Sequence, residues 1–138
     1  MAIDSRKVAV GAVIMNDDND VLIGKRGPNT SDDNGLWDFF GGKVELGESC
    51  ENAIKREIKQ ELGIEVDVLK LINLVENITD DAHWLNLCYL CEIKDGELQI
   101  MEKDKFSQIM WISPNDIVEE GLTKAAKQNL EAFYDLLL

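Results

Sequence analysis

Residues 42–64, GKVELGESCENAIKREIKQELGI, decide the fold. Two glycines precede a turn, and the turn leads into an acidic segment with helical periodicity. Ala53, Ile54, Ile58 and Leu62 fall on one apolar stripe, Ser49 stands where an N-cap belongs, and Gly63 can end the run in a left-handed conformation. A helix is therefore expected over residues 50–62. On it Glu57 and Glu61 are one turn apart, and Gln60 joins the same face. Like charges at that spacing destabilise an isolated helix. A divalent cation between the two carboxylates reverses the sign, and hard oxygen donors suit Mg²⁺ or Mn²⁺. The alternative is a merely solvated helix face.

Working outward, residues 7–15 and 21–26 read as strands joined as a hairpin by the turn cluster Asn16-Asp17-Asp18-Asn19-Asp20. Residues 27–35 form a loop dense in turn residues, and 36–40 and 43–46 read as short strands on either side of Gly41-Gly42. Further strands are expected at 64–74, 84–93, 98–101 and 109–112. Ser113-Pro114 starts a helical turn with Asp116 reaching back, and a last amphipathic helix from Thr123 buries Ala126, Leu130, Phe133 and Leu137. No linker or repeat interrupts the 138 residues. One α+β domain spanning 1–138 is the expected architecture.

Charge narrows the function. Fourteen Lys and Arg face 27 Asp and Glu, a formal net charge of −13. Such a surface repels a nucleic-acid backbone and an anionic membrane. A phosphorylated ligand must then arrive with a cation. No run approaches the ~20 apolar residues of a membrane span, and no leader pattern opens the chain, so a cytoplasmic setting is expected. Cys50, Cys88 and Cys91 lack a second CxxC pair, and WLNLCYLCEI reads as a buried strand with reduced core thiols. His83, the single histidine, leaves little material for a His-based zinc site or a Ser-His triad.

Residues 42–64 resemble the Nudix box, Gly-x5-Glu-x7-Arg-Glu-U-x-Glu-Glu-x-Gly-U with U a bulky aliphatic. Gly42, Glu48, Arg56, Glu57, Ile58, Glu61, Gly63 and Ile64 match at the required spacing. Gln60 departs from it, standing where the family has the first Glu of the pair. The run WDFFGGKVE, residues 37–45, is similar to the entry of MutT-like members, and residues 101–111 resemble their later strand and loop. The resemblance implies a Nudix-type α/β/α sandwich with a mixed sheet. It also implies Mg²⁺-dependent hydrolysis, with Mn²⁺ possible, of a nucleoside diphosphate linked to another group.

By the same resemblance Glu57 and Glu61 are metal ligands, with the Gly41 carbonyl completing the set. Gln60 can ligate through its amide oxygen but brings no charge, and Glu102 is a further candidate ligand. Glu48 and Arg56 pair and hold Glu57. Glu61 is the first choice as general base and Glu102 the second, although Glu102 also reads as part of an exposed loop. Arg26 stands where MutT-like members bind phosphate, and Phe39 and Asp38 where relatives contact the base; a core aromatic and a turn acid are the alternatives. Trp84, Tyr89, Phe106 and Trp111 read as core, and Glu119 and Glu120 as an acidic helix end.

Markers of ADP-ribose, dinucleoside polyphosphate, NADH and coenzyme A hydrolases are missing. For ADP-ribose, Thr79-Asp80-Asp81 stands in place of the proline. The expected substrate is a nucleoside triphosphate, cleaved to the monophosphate and pyrophosphate. The alternatives are an ADP-ribose or nucleotide-sugar pyrophosphatase, or a non-catalytic nucleotide-binding module. A small nucleotide is thus the expected partner, with the chain a monomer or homodimer.

Overall fold

The computed structural model describes residues 5–28 and 33–137. Among these residues seven strands and two α-helices follow in the order β1 (Arg6–Ile14), β2 (Val21–Arg26), β3 (Trp37–Asp38), β4 (Phe40–Lys43), α1 (Cys50–Leu62), β5 (Ile64–Ile78), β6 (His83–Gly96), β7 (Phe106–Ile112) and α2 (Lys124–Leu137). The central sheet runs β4-β1-β6-β5, and it is mixed because β1 lies parallel to β6 while β1/β4 and β5/β6 are antiparallel. A second, antiparallel sheet runs β3-β2-β7.

Alternation along the strands sorts the core into two layers. Val10, Ala12, Ile14, Tyr89 and Cys91 pack with Ala53, Ile54, Ile58 and Leu62 of α1. Val13, Cys88 and Leu90 face the other way, onto Ala126, Leu130 and Phe133 of α2. The result is the expected α/β/α sandwich. Cys88 and Cys91 are free thiols buried in opposite layers, and burial pushes both up to about 12, as inert core cysteines.

Helix α1 has the expected bounds for the expected reasons. Ser49 accepts the Asn52 N–H at 3.1 Å, and Gly63, at φ 71°, returns its N–H to the Lys59 carbonyl. Ile54, Ile58 and Leu62 are each fully buried, contributing about 1.5–3 kcal/mol apiece. Helix α2 is capped by Thr123, whose hydroxyl accepts the Ala126 N–H; Ala126, Leu130 and Phe133 are buried. The expected burial of Leu137 lies outside the described side chains.

Four expectations change. Strands β1 and β2 are not a hairpin: they enter different sheets, joined only by a Met15–Val21 bridge. Residues 98–101 form no strand; the Gln99 and Met101 N–H groups instead bond the Leu62 and Glu61 carbonyls at the end of α1. The expected short strands at 36–40 and 43–46 become β3 and β4, which split at Phe39 and send one piece to each sheet, with Gly41 and Gly42 inside β4. Ser113-Pro114 does begin a turn, but the Asp116 side chain makes no cap. Of the 27–35 loop, residues 29–32 lie outside the described residues.

No helix among the described residues is long and apolar enough to cross a membrane.

Candidate active site

Two carboxylates from α1 meet the glycines of β4. Glu61, only 1% exposed, accepts the Gly41 N–H through Oε1 at 3.0 Å. Its Oε2 lies 2.6 Å from Lys105 Nζ, a charge-assisted ion pair and its one polar partner among the described residues. One turn back, the Glu57 carboxylate lies over Gly42 so closely that a Cβ there would fall 2.5 Å and 2.6 Å from its two oxygens. The pair therefore faces a strand surface that has no side chains.

Arg56 holds the other end of this arrangement. Its Nε donates to Glu48 Oε2 at 2.7 Å, and one terminal nitrogen donates to Glu48 Oε1 and to the Lys43 carbonyl, each at 3.0 Å. The other terminal nitrogen donates to Glu57 Oε1 at 2.9 Å and to Gln60 Oε1 at 3.3 Å. Such a bidentate fork fixes a carboxylate's orientation better than a lysine can. The Arg56 hydrogen bond, first of all, holds the Glu48 carboxyl below the usual range, and Glu48 raises Arg56 in return. At Glu61 burial dominates, pushing its carboxyl up to about 7 against the opposing pull of Lys105 and the Gly41 N–H.

On the α2 side of the sheet, the same strand borders a cavity of about 560 Å³. Arg26, Asp38, Phe39, Gly41, Asn86 and Asn129 are among its lining. Arg26 places its guanidinium 5.0 Å over the Phe106 ring, and its buried Nε has no hydrogen-bond partner among the described residues. Asp38 accepts the Phe39 N–H at 2.8 Å, and burial pushes its carboxyl up to about 6 despite the Thr123 hydroxyl and Arg26. Phe39 is 5% exposed and belongs to the core as well as to the cavity wall.

The structure thus brings Gly41, Glu57, Glu61, Gln60, Arg56 and Glu48 together, and gathers Arg26, Asp38 and Phe39 at the adjoining cavity. Glu102 is the outlier. Its carbonyl accepts the Lys105 and Phe106 N–H groups in a turn beside α1, while its side chain is exposed and joins no ion pair among the described residues. Sequence reasoning missed Lys105, Asn86, Asn129 and the side-chain role of Thr123. Only the basic character of residues 103–105 hinted at the first.

A divalent cation fits the acidic pair on the structure's own terms. The donors are all oxygen, the buried Glu61 Oε2 meets only the Lys105 ammonium among the described residues, and the Glu57 carboxylate lies one turn away against Gly42, which has no side chain to cover it. Among the described residues no third acid, His or Cys joins them, which suits Mg²⁺, an ion that usually takes one or two carboxylates and completes its shell with water and phosphate.

Comparison with known proteins agrees with this geometry. A NUDIX domain model matches residues 5–136. The chain is 33% identical to a CTP pyrophosphohydrolase of Escherichia coli over 132 residues, covering 95% of this chain and 94% of that protein. It is 29% identical to a MutT-like protein of Streptomyces ambofaciens over 91% of this chain and 75% of the relative. Among solved structures, a MutT NUDIX hydrolase from Burkholderia pseudomallei superposes with a TM-score of 0.81 at 32% identity, covering 94% of this chain and 98% of that one.

Proposed function

We infer the reaction from one premise: the chain belongs to the Nudix family of pyrophosphohydrolases. It hydrolyses a nucleoside triphosphate to the monophosphate and pyrophosphate, with Mg²⁺ as cofactor and Mn²⁺ as a substitute, and does so as one domain, residues 1–138, a cytoplasmic monomer or homodimer. The observation that carries this reading is the shared use of β4. Glu57 and Glu61 meet it at Gly41-Gly42, and the cavity lined by Arg26, Asp38 and Phe39 begins on the same strand. A nucleoside in the cavity would lead its phosphate chain toward the two carboxylates. The name of the E. coli relative favours a triphosphate over the alternatives.

Glu57, Glu61 and the Gly41 carbonyl would hold the cation, with Gln60 offering a neutral oxygen. When bound, the cation neutralises the polyphosphate and polarises phosphorus toward water. Arg56, locked by Glu48, fixes the orientation of the Glu57 carboxylate. Glu61, beside the cation, is the first choice to take the proton of the attacking water, and the exposed Glu102 is the second candidate for that step. Arg26 offers the triphosphate a desolvated positive charge, while Phe39 packs against the base and Asp38 meets its polar edge.

The test is pyrophosphate and phosphate release from a panel of NTPs, dNTPs, ADP-ribose and dinucleotides, with Mg²⁺ and with Mn²⁺. Pyrophosphate from triphosphates is expected, and Glu61→Gln should abolish it while leaving the fold. Hydrolysis of ADP-ribose alone would replace the substrate assignment. Nucleotide binding without turnover would make the chain a binding module, and an active Glu61→Gln enzyme would remove the site.

A further inference from the structure

Both acids of the site already have a cation, but the two cations are held very differently. Arg56 cannot leave Glu57 easily, since its fork is also tied to Glu48 and to the Lys43 carbonyl. Lys105 reaches Glu61 with one polar contact, at 2.6 Å, and its side chain is 31% exposed while that of Glu61 is fully enclosed. Its backbone, by contrast, is pinned. The Lys105 N–H bonds the Glu102 carbonyl, the Lys105 carbonyl accepts the Gly27 N–H, and the Met101 N–H ties the segment to the Glu61 carbonyl. Only the side chain is free to swing.

The proposed function assigns Glu61 to the divalent cation, Oε2 is the oxygen not taken by the Gly41 N–H, and the inference rests on that assignment. An ammonium and a divalent ion cannot both lie against one buried oxygen, because their repulsion there is weakly screened. We propose that Lys105 is the resident counter-ion of the metal site: its ammonium occupies the Glu61 position in the metal-free protein and must be expelled toward solvent for a divalent cation to bind. Lys105 thereby sets how much metal the protein needs. This is a competition built into the chain, so it lowers the apparent affinity by the fraction of molecules in which Glu61 is uncovered.

The test uses Mn²⁺ alone, without nucleotide, titrated into the full chain with free Mn²⁺ read by electron paramagnetic resonance. If the uncovered form makes up about a tenth of the molecules, Lys105→Met should bind Mn²⁺ about tenfold more tightly than wild type. Lys103→Met removes the same charge from the same turn without touching Glu61, and should stay within about twofold. Lys105→Gln repeats the comparison if the Met variant folds poorly, which circular dichroism melts will show. Lys105→Arg, keeping a cation, should return the affinity toward the wild-type value.

Wild-type affinity in Lys105→Met and Lys105→Gln, together with weakened binding in Glu61→Gln, would overturn the exchange and leave the metal site standing. Equal gains in the Lys103 and Lys105 variants would overturn it as well, since net charge would then suffice. Unaltered Mn²⁺ binding in Glu61→Gln would instead overturn the metal-site assignment itself, and the exchange with it.

Discussion

Replacing Gly42 by alanine separates stability from chemistry. Gly42 pairs with Val10 across the β1/β4 ladder, and nothing in its backbone forbids a side chain. The new Cβ would lie 2.5–2.6 Å from the Glu57 carboxylate oxygens, so something must move. What moves is the end of a flexible side chain. Glu57 must rotate away, abandoning the 2.9 Å bond from Arg56. Losing a partly exposed pair costs about 0.2–1 kcal/mol and an imperfect rotamer about 0.5–1.5 kcal/mol. Removing a glycine's freedom from the unfolded chain offsets about 0.4–1 kcal/mol of that. The net destabilisation is therefore about 0–2 kcal/mol, a melting shift of a few degrees. Activity should suffer far more, falling at least ~100-fold with a raised Mg²⁺ requirement, because a proposed ligand has left its place. The assays are thermal melts by circular dichroism and pyrophosphate release against Mg²⁺ concentration. Gly41→Ala is the contrast: its Cβ would run into the Val10 carbonyl oxygen, which is backbone and cannot yield, so that variant should lose the fold. A Gly42→Ala enzyme with activity within about threefold of wild type and the same Mg²⁺ dependence would refute the placement of Glu57 at the metal.

Two other perturbations test separate parts of the site. The Asp38 carboxyl, raised to about 6, binds its proton more tightly folded than unfolded; its contribution is full below pH ~4 and is lost as pH rises through 6. Asp38→Asn should match wild type near pH 4 and exceed it by up to about 3 kcal/mol at pH 8, and parallel stability curves in urea across that range would contradict the burial argument. Gln60→Glu restores a charge where Arg56 now meets an amide at 3.3 Å. Half-maximal activity should then need about three- to tenfold less Mg²⁺, and an unchanged requirement would deprive Gln60 of any part in metal binding.

What the sequence disclosed depended on the range of each interaction. Helix α1 was legible to the residue because its signals are local: the Ser49 cap, the 3.6-residue stripe and Gly63. The meeting of Glu48, Arg56 and Glu57 was legible through the spacing of one motif. The hairpin reading of β1 and β2 failed because strand pattern reports burial, not partnership. Val21, Leu22 and Ile23 are buried without alternation, the mark of a strand covered on both faces, and the short turn cluster suggested a pairing that the two-sheet arrangement overrides. Residues 98–101 had strand-like composition, but their N–H groups serve the carbonyls at the end of α1. Lys105 looked like one more charge in an exposed loop. Its contact with Glu61 depends on that same docking of residues 99–101 onto α1, which no local pattern announces. Asn86 and Asn129 reach one cavity from β6 and α2, 43 positions apart in the chain.

The division of the central sheet into an α1 face and an α2 face bears on how such a protein can change over time. The acids proposed for hydrolysis lie with α1, while Asn86, Gln128 and Asn129 line the cavity from the other side, and the two regions meet along Gly41, where there is no side chain to alter. Substitutions that reshape the cavity need not disturb the carboxylates. A lineage built on this plan can explore new nucleotides by exchanging residues of α2 and β6 while its hydrolytic half stays under unaltered constraint.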